Sequence, residues 1–266
     1  MIELDAPESA AGWSELVILA VVQGVAEFLP ISSSGHLVLA QELLGVHEAS
    51  IALEVALHVG TLLAVVAVYW KDLVAIAVDV AHGRVAEVGL LVLGSIPAGL
   101  VGVFGAEFIE KVFDDVRWVA AGLFVTAALL AAGEWLRRRR GRFEGPMTIL
   151  GVLFVGAFQA LAIWPGISRS GSTIAAGLAL GWGAKRAARF SFLLSIIAIG
   201  GAALLRLPDV LQEPGQAARL GFGVGVAAVV GVLALRWLLA RLERGAFVNF
   251  AVYCAFAGVV VAGLTW

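Results

Sequence analysis

Cysteine is nearly missing from this chain of 266 residues. The single copy, Cys254, lies in the last apolar run, which excludes an internal disulfide and leaves a small core or lipid-facing residue. Charge is scarce as well: Asp, Glu, Lys and Arg make 14% of the chain against 61% hydrophobic residues, and the mean hydropathy is +0.98. That balance excludes an ordinary soluble domain and reads as an integral membrane protein. The opening stretch MIELDAPESAAGW lacks the basic region of a secretory signal, so the expectation is that no peptide is cleaved and that the apolar segments do the targeting. A net charge of −2 says little here; the placement of Lys and Arg is what informs, and nucleic acid is not an expected partner.

What is present is hydrocarbon. Apolar runs cover Ile51 to Trp70, Val88 to Phe104, Trp118 to Leu136, Phe190 to Leu205, Leu220 to Leu239 and Phe247 to Trp266. At about 1.5 Å per residue, each crosses or nearly crosses a hydrocarbon layer of roughly 30 Å. Two further segments, Trp13 to Gly45 and Met147 to Gly181, are interrupted by PISSSG and PGISRSG, where Pro, Gly and serines stop one helix and start another. If both turn back rather than cross, the loops sort by charge. One side then receives thirteen Lys and Arg, among them Lys71, Arg84, Arg137 to Arg140, Arg142, Lys185, Arg186, Arg189, Arg236, Arg241 and Arg244. The other receives Glu48, Glu107, Glu110, Asp114, Asp115, Asp209 and Glu213, with four basic residues, Lys111, Arg117, Arg206 and Arg219. The positive-inside rule makes the first face cytoplasmic and puts both termini outside.

The interrupted segments also match one another at an offset of 136 residues (159 − 23): Gln23 with Gln159, Ala26 with Ala162, Ile31 with Ile167, Ser32 with Ser168, Ser34 with Ser170, Gly35 with Gly171, and Leu44-Gly45 with Leu180-Gly181. Three crossings between corresponding points bring the second copy in from the opposite side, so that the polar breaks meet near the midplane. The expected fold is therefore an all-α polytopic membrane protein, an inverted-topology repeat with six transmembrane helices and two re-entrant helix-break-helix segments. It forms one membrane domain over 1–266, with repeats at 13–136 and 147–266.

The breaks hold the polar residues that a membrane interior makes expensive. Glu27 follows Gln23 by one helical turn, so both project from one face. Ser32, Ser33, Ser34, Gly35 and His36 come next, at a helix start whose unpaired N–H groups and positive dipole end suit phosphate. The second break repeats this with Ser168, Ser170, Gly171 and Thr173, and adds Arg169, the one basic residue placed in the membrane interior, whose planar fork matches phosphate oxygens. Serines at a helix start are capping groups first. Glu54 and His58, four residues apart, read as a satisfied pair, and His47 and His82 as loop residues.

QGVAEFLPISSSGH and PGISRSGST resemble the two signature motifs of the undecaprenyl-diphosphatase family, also called bacitracin-resistance proteins, and LEVALHVGTLLAVV and RFSFLLSI extend the resemblance over nearly the whole chain. It implies an enzyme that dephosphorylates undecaprenyl diphosphate to the monophosphate lipid carrier of cell-wall building, in the bacterial inner membrane, with a site opening to the outer face. The family's motif residues fall on Glu27, Ser33, His36, Ser168, Arg169 and Thr173. Where many members carry a second glutamate this chain has Gln23, a supporting residue rather than a base. SSGH is also similar to a motif of acid-phosphatase-type lipid phosphatases, but the downstream His and Asp of that type are missing from SRSGSTIAAGLALG.

Phosphoryl transfer is thus expected, with Ser33 or His36 as nucleophile, Glu27 orienting or deprotonating, and Arg169 holding developing charge. The competing reading is a polyprenyl-phosphate transporter that uses the same breaks to bind phosphate without cleaving it. One carboxylate makes a poor cage, so any divalent cation, Mg or Ca, would arrive with the diphosphate and meet the protein at Glu27; no organic cofactor is expected. Expected partners are the polyprenyl diphosphate and membrane lipid, with a homodimer left open.

Overall fold

The computed structural model describes residues 12–46, 50–105, 109, 112, 115–140, 145–211, 216–242, 245 and 247–265, without the side chains of residues 209 and 211. His47, Glu48, Glu107, Glu110, Lys111, Asp114, Arg142, Glu213 and Arg244 lie outside them. The described residues are helical, with no strand among them. Among the described residues, six helices are long and apolar enough to cross a membrane: α3 (Ile51–Val68), α5 (Ala86–Phe104), α6 (Val116–Arg140), α9 (Ala184–Leu205), α10 (Ala217–Leu242) and α11 (Phe247–Thr265). They correspond to the six uninterrupted runs, extended by a few residues where Arg and Lys continue a helix past the hydrocarbon. The protein is a multi-pass membrane protein. Its outward surface is correspondingly apolar, with Phe104, Leu150, Val252, Phe256 and Leu264 exposed where a lipid solvent costs them nothing.

The interrupted segments form pairs of short helices: α1 (Trp13–Ala26) with α2 (Ser33–Leu44), and α7 (Ile149–Leu161) with α8 (Arg169–Ala179). Pro30 has no N–H to continue α1 and pushes Leu29 away from helical geometry, so the chain turns over Glu27–Ile31. Ser32 then caps α2, its hydroxyl accepting from the Gly35 N–H at 3.3 Å, and Ser168 caps α8 through the Gly171 N–H at 3.1 Å. The two caps differ in backbone. Ser32 has φ +74°, a conformation that L-residues rarely adopt and that costs on the order of 1–3 kcal/mol, whereas in the second break Gly166 takes the positive φ, +83°, and Ser168 is extended.

The second break is clamped to α6. Thr126 donates its hydroxyl to the Gly166 carbonyl and accepts the Ser168 N–H, both at 2.9 Å. Gly122 and Gly166 let the backbones meet: a Cβ on Gly122 would lie 2.1 Å from the Pro165 carbonyl oxygen, and one on Gly166 would lie 2.2 Å from that of Val119. Elsewhere the packing exchanges partners. α1 and α3 lie against α10, while α7 and α9 lie against α5, and α6 packs along α11. The central core is built on Phe28, Phe192, Leu193, Trp182 and Phe247.

Polar groups stitch the basic ends of the helices. Arg189 at the start of α9 pairs with Asp72 on α4 (Trp70–Ala81) and Glu87 on α5. Buried Glu134 accepts from Arg137 and Arg138 at 2.7 Å each. At the opposite end Asp115 starts α6 by accepting the Arg117 N–H, and the Arg117 guanidinium beside it holds its carboxyl below the usual carboxylate range. The helix α4 was not evident among the apolar runs; within it only Ile76 is buried.

Candidate active site

The two breaks face each other across a cavity of about 400 Å³, whose lining includes Glu27, Ser33, Ser34, Glu54, His58, Arg169 and Arg206. Glu27, at the end of α1 and almost wholly buried, is the hub. Its Oε2 accepts the Ser33 hydroxyl at 2.7 Å and the Gln23 amide at 3.0 Å, and its Oε1 accepts Arg169 Nη2 at 2.6 Å. The i, i+4 spacing of Gln23 and Glu27 on α1 makes the Gln23 contact local; the Arg169 contact spans 142 residues and joins the two interrupted segments.

Arg169 divides its fork. One terminal nitrogen grips Glu27, while the other, Nη1, is buried and has no partner. Every unpartnered buried side-chain polar atom among the described residues belongs to an interrupted segment: Gln23 Oε1, both polar atoms of Gln159, Arg169 Nη1 and Ser172 Oγ. Native cores leave few such atoms, and of these Arg169 Nη1 belongs to a residue that lines the cavity, where it can meet a polar visitor. Backbone adds to this. Ser33 and Ser34 begin α2, and Arg169 and Ser170 begin α8, so the N–H groups of these positions have no acceptor within their own helices.

The remaining expected residues are arranged differently. Ser32 and Ser168 are caps, and each hydroxyl also lies 3.3 Å from that of Ser34 or Ser170. The N–H groups of Gly35 and Gly171 are taken by those caps. Thr173 is buried, donating to its own helix at the Arg169 carbonyl, 2.8 Å, and sharing a 2.6 Å bond with Ser191 of α9; it anchors α8 rather than lining the cavity. His36 is turned away from Ser33: Nδ1 bonds the Ser32 carbonyl at 2.8 Å, and Nε2 bonds the Tyr253 hydroxyl at 2.7 Å, with the two rings stacked.

His58, Glu54 and Arg206 enter the site without having been singled out for it. The Glu54 and His58 pairing runs through the Glu54 carbonyl, which takes His58 Nδ1 at 2.8 Å, while the Glu54 carboxylate accepts Gln41 at 3.2 Å. That leaves His58 Nε2 facing the cavity, 3.9 Å from Glu27 Oε2. The available signal was a histidine inside an apolar run, LEVALHVG. No three His, Cys, Asp or Glu side chains among the described residues gather into a metal-holding cluster, and both Glu27 oxygens are already engaged. This donor set does not fit a resident metal.

The chain is similar to known proteins over nearly its whole length. The family described as "Bacitracin resistance protein BacA" matches residues 16–260. A protein of Desulfosudis oleivorans named undecaprenyl-diphosphatase is 43% identical, the alignment covering 92% of this chain and 95% of that protein. Proteins of the same name from Desulfatibacillum aliphaticivorans and Methanosphaera stadtmanae are 40% and 39% identical, covering 94% and 92% of this chain and 97% and 95% of theirs.

Proposed function

The chain belongs to the bacitracin resistance protein family BacA, and on that premise we propose that its two breaks form the active site of an undecaprenyl-diphosphatase in which Ser33 is the nucleophile. The protein is a hydrolase that converts undecaprenyl diphosphate to undecaprenyl phosphate and inorganic phosphate. One observation carries the assignment of roles: the Ser33 hydroxyl donates to a buried carboxylate whose other oxygen is held by half of an arginine fork, the second half being unengaged.

Ser33 Oγ attacks the terminal phosphorus and passes its proton to Glu27; the bond to the bridging oxygen breaks and the prenyl phosphate leaves. Water then attacks the phosphoserine, the Ser33–phosphorus bond breaks, and Glu27 returns the proton to Ser33. The water's own proton leaves through the cavity, where His58 Nε2 is an acceptor. Arg169 Nη1 and the amides that start α2 and α8 hold the charge that develops on the phosphoryl oxygens. Gln23 keeps the Glu27 carboxylate aimed. Ser34 lines the phosphate site, and Ser32, Gly35, Ser168, Ser170, Gly171 and Thr173 hold the helix starts in place. His36, fixed between Ser32 and Tyr253, steadies the break. A divalent cation would enter with the diphosphate, and no step here runs through it.

The exchange of partners between α1–α10 and α7–α5 supports an inverted repeat over 13–136 and 147–266, with both interrupted segments re-entrant. The charge sorting supports a plasma-membrane orientation with the site open to the outer face. A homodimer would use a lipid-facing surface such as that of α5, where Val92, Ile96, Leu100 and Val103 are exposed. The transporter reading has less support, since phosphate binding alone gives no reason to set a serine on a carboxylate. Phosphate release from undecaprenyl diphosphate by the purified protein, lost in Ser33→Ala, tests the assignment; unchanged release by that variant refutes it.

A further inference from the structure

Three Trp and Arg pairs, each four residues apart, stand at the basic ends of the helices. Arg186 lies 5.9 Å from the Trp182 ring, but that ring is buried and the guanidinium donates to the Gly145 carbonyl, so this pair is spent inside the protein. The other two are open. Arg139 sits 4.1 Å over Trp135 at the end of α6, Arg241 sits 5.1 Å over Trp237 at the end of α10, and both rings are exposed. A guanidinium laid on an indole face is held at one level while its N–H edges stay available to an anion.

The ends of these helices meet. A Cβ on Gly245, in the connection from α10 to α11, would lie 3.1 Å from Glu134 Oε1 and 3.2 Å from Arg137 Nη2 of α6, and the Trp237 ring meets Phe250 of α11 edge-on at 6.3 Å. Glu134 neutralises Arg137 and Arg138 there, whereas Arg139, Arg140, Arg236 and Arg241 pair with no carboxylate among the described residues. Away from Arg241, one face of α10 continues through Trp237, Leu233 and Val229, spaced by four and all exposed. Cation, aromatic ring and hydrocarbon thus follow one another in the order in which a phospholipid presents phosphate, interface and acyl chain.

We infer that the joined ends of α6, α10 and α11 form a binding surface for anionic phospholipid, with Arg139 and Arg241 on the headgroup phosphate and the acyl chains along the exposed face of α10. This surface is independent of the reading of the diphosphate site. Charge decides the occupant: the arginines lack counter-ions in the protein, an anionic headgroup supplies one, and a zwitterionic headgroup brings its own cation to compete with them.

The test uses the full chain, delipidated in detergent and titrated with phosphatidylglycerol or with phosphatidylcholine of the same acyl chains, retained lipid being read by native mass spectrometry. The wild type should hold phosphatidylglycerol about tenfold more tightly. Arg139→Gln and Arg241→Gln should each weaken it about fivefold, the worth of one basic residue near a charged lipid surface. Lys71→Gln with Arg84→Gln removes as much charge elsewhere on the basic side and should leave binding within about twofold. Arg139→Lys with Arg241→Lys keeps the charge but gives up fork and stacking, and should lose several-fold. All four side chains are exposed, so melting without lipid should match the wild type in every variant. Equal binding of the two lipids, an equal loss in the Lys71 and Arg84 control, or wild-type binding by the lysine variant overturns the surface. Displacement of the lipid by millimolar inorganic phosphate overturns it too, since that would make it a site for any anion rather than for lipid.

Discussion

Arg169 lies at the place in the second interrupted segment that matches Ser33 in the first, and the proposed chemistry depends on that difference: one break would supply the attacking oxygen and the other the charge that receives it. Arg169→Lys should lower kcat/KM by about a hundredfold, nearly as much as Arg169→Ala, because an ammonium cannot hold Glu27 and a phosphoryl oxygen with two nitrogens of one plane. Retention of most activity by the lysine variant would reduce Arg169 to a general electrostatic role. Glu27→Gln should fail in turnover while binding substrate, since an amide keeps the size but accepts no proton; Ser34→Ala, in contrast, should keep the rate within a few fold. Steady-state kinetics with a substrate-binding assay read both. These residues were legible in the sequence because a carboxylate and a guanidinium inside hydrocarbon are expensive without a purpose. The orientation of His36 was not: its partner Tyr253 lies 217 residues away, and no local spacing reports such a contact.

At the scale of elements, each break is capped by a serine, and the second is also wedged against α6. Ser168→Ala should cost about 1 kcal/mol of stability, the usual value of a lost helix cap, read as a lower melting temperature in detergent with KM little changed. Gly122→Ala should do more harm. Its methyl would need the space of the Pro165 carbonyl, so the second break must lift off α6 and carry Arg169 with it, with overpacking of about 1–3 kcal/mol and a fall in kcat. If that variant melts and turns over as the wild type does, the α6 clamp has no part in positioning the site. Helix existence followed from apolar runs and from Pro, Gly and serine punctuation. The helix α4 escaped because its apolar run, Leu73 to Val78, is far too short to span a membrane and is flanked by Lys71, Asp72 and Asp79, and the Thr126 clamp because it connects helices far apart in sequence.

For the whole molecule, the count of spans and the two interruptions were readable from hydropathy, and the offset match between Gln23–Gly45 and Gln159–Gly181 suggested how the halves relate. Which helix packs on which was not readable, since all six spans are apolar and their pairing depends on shape. The topology makes its own prediction. Single cysteines at Arg140 and Glu213, in a Cys254→Ala background, should react with an impermeant reagent from opposite sides of the membrane. Labelling of both from one side would contradict an inverted repeat with two re-entrant segments.

The central claim is that the terminal phosphate passes through Ser33, and it can be read directly. The purified protein is mixed with undecaprenyl diphosphate radiolabelled in its terminal phosphate, quenched in sodium dodecyl sulfate at mildly alkaline pH during turnover, where phosphoserine and phosphohistidine both survive, digested, and the labelled peptide located. The account predicts label on Ser33, absent from Ser33→Ala and from an Arg169→Ala control. Label on His36, or release of labelled phosphate by Ser33→Ala at the wild-type rate, would contradict it.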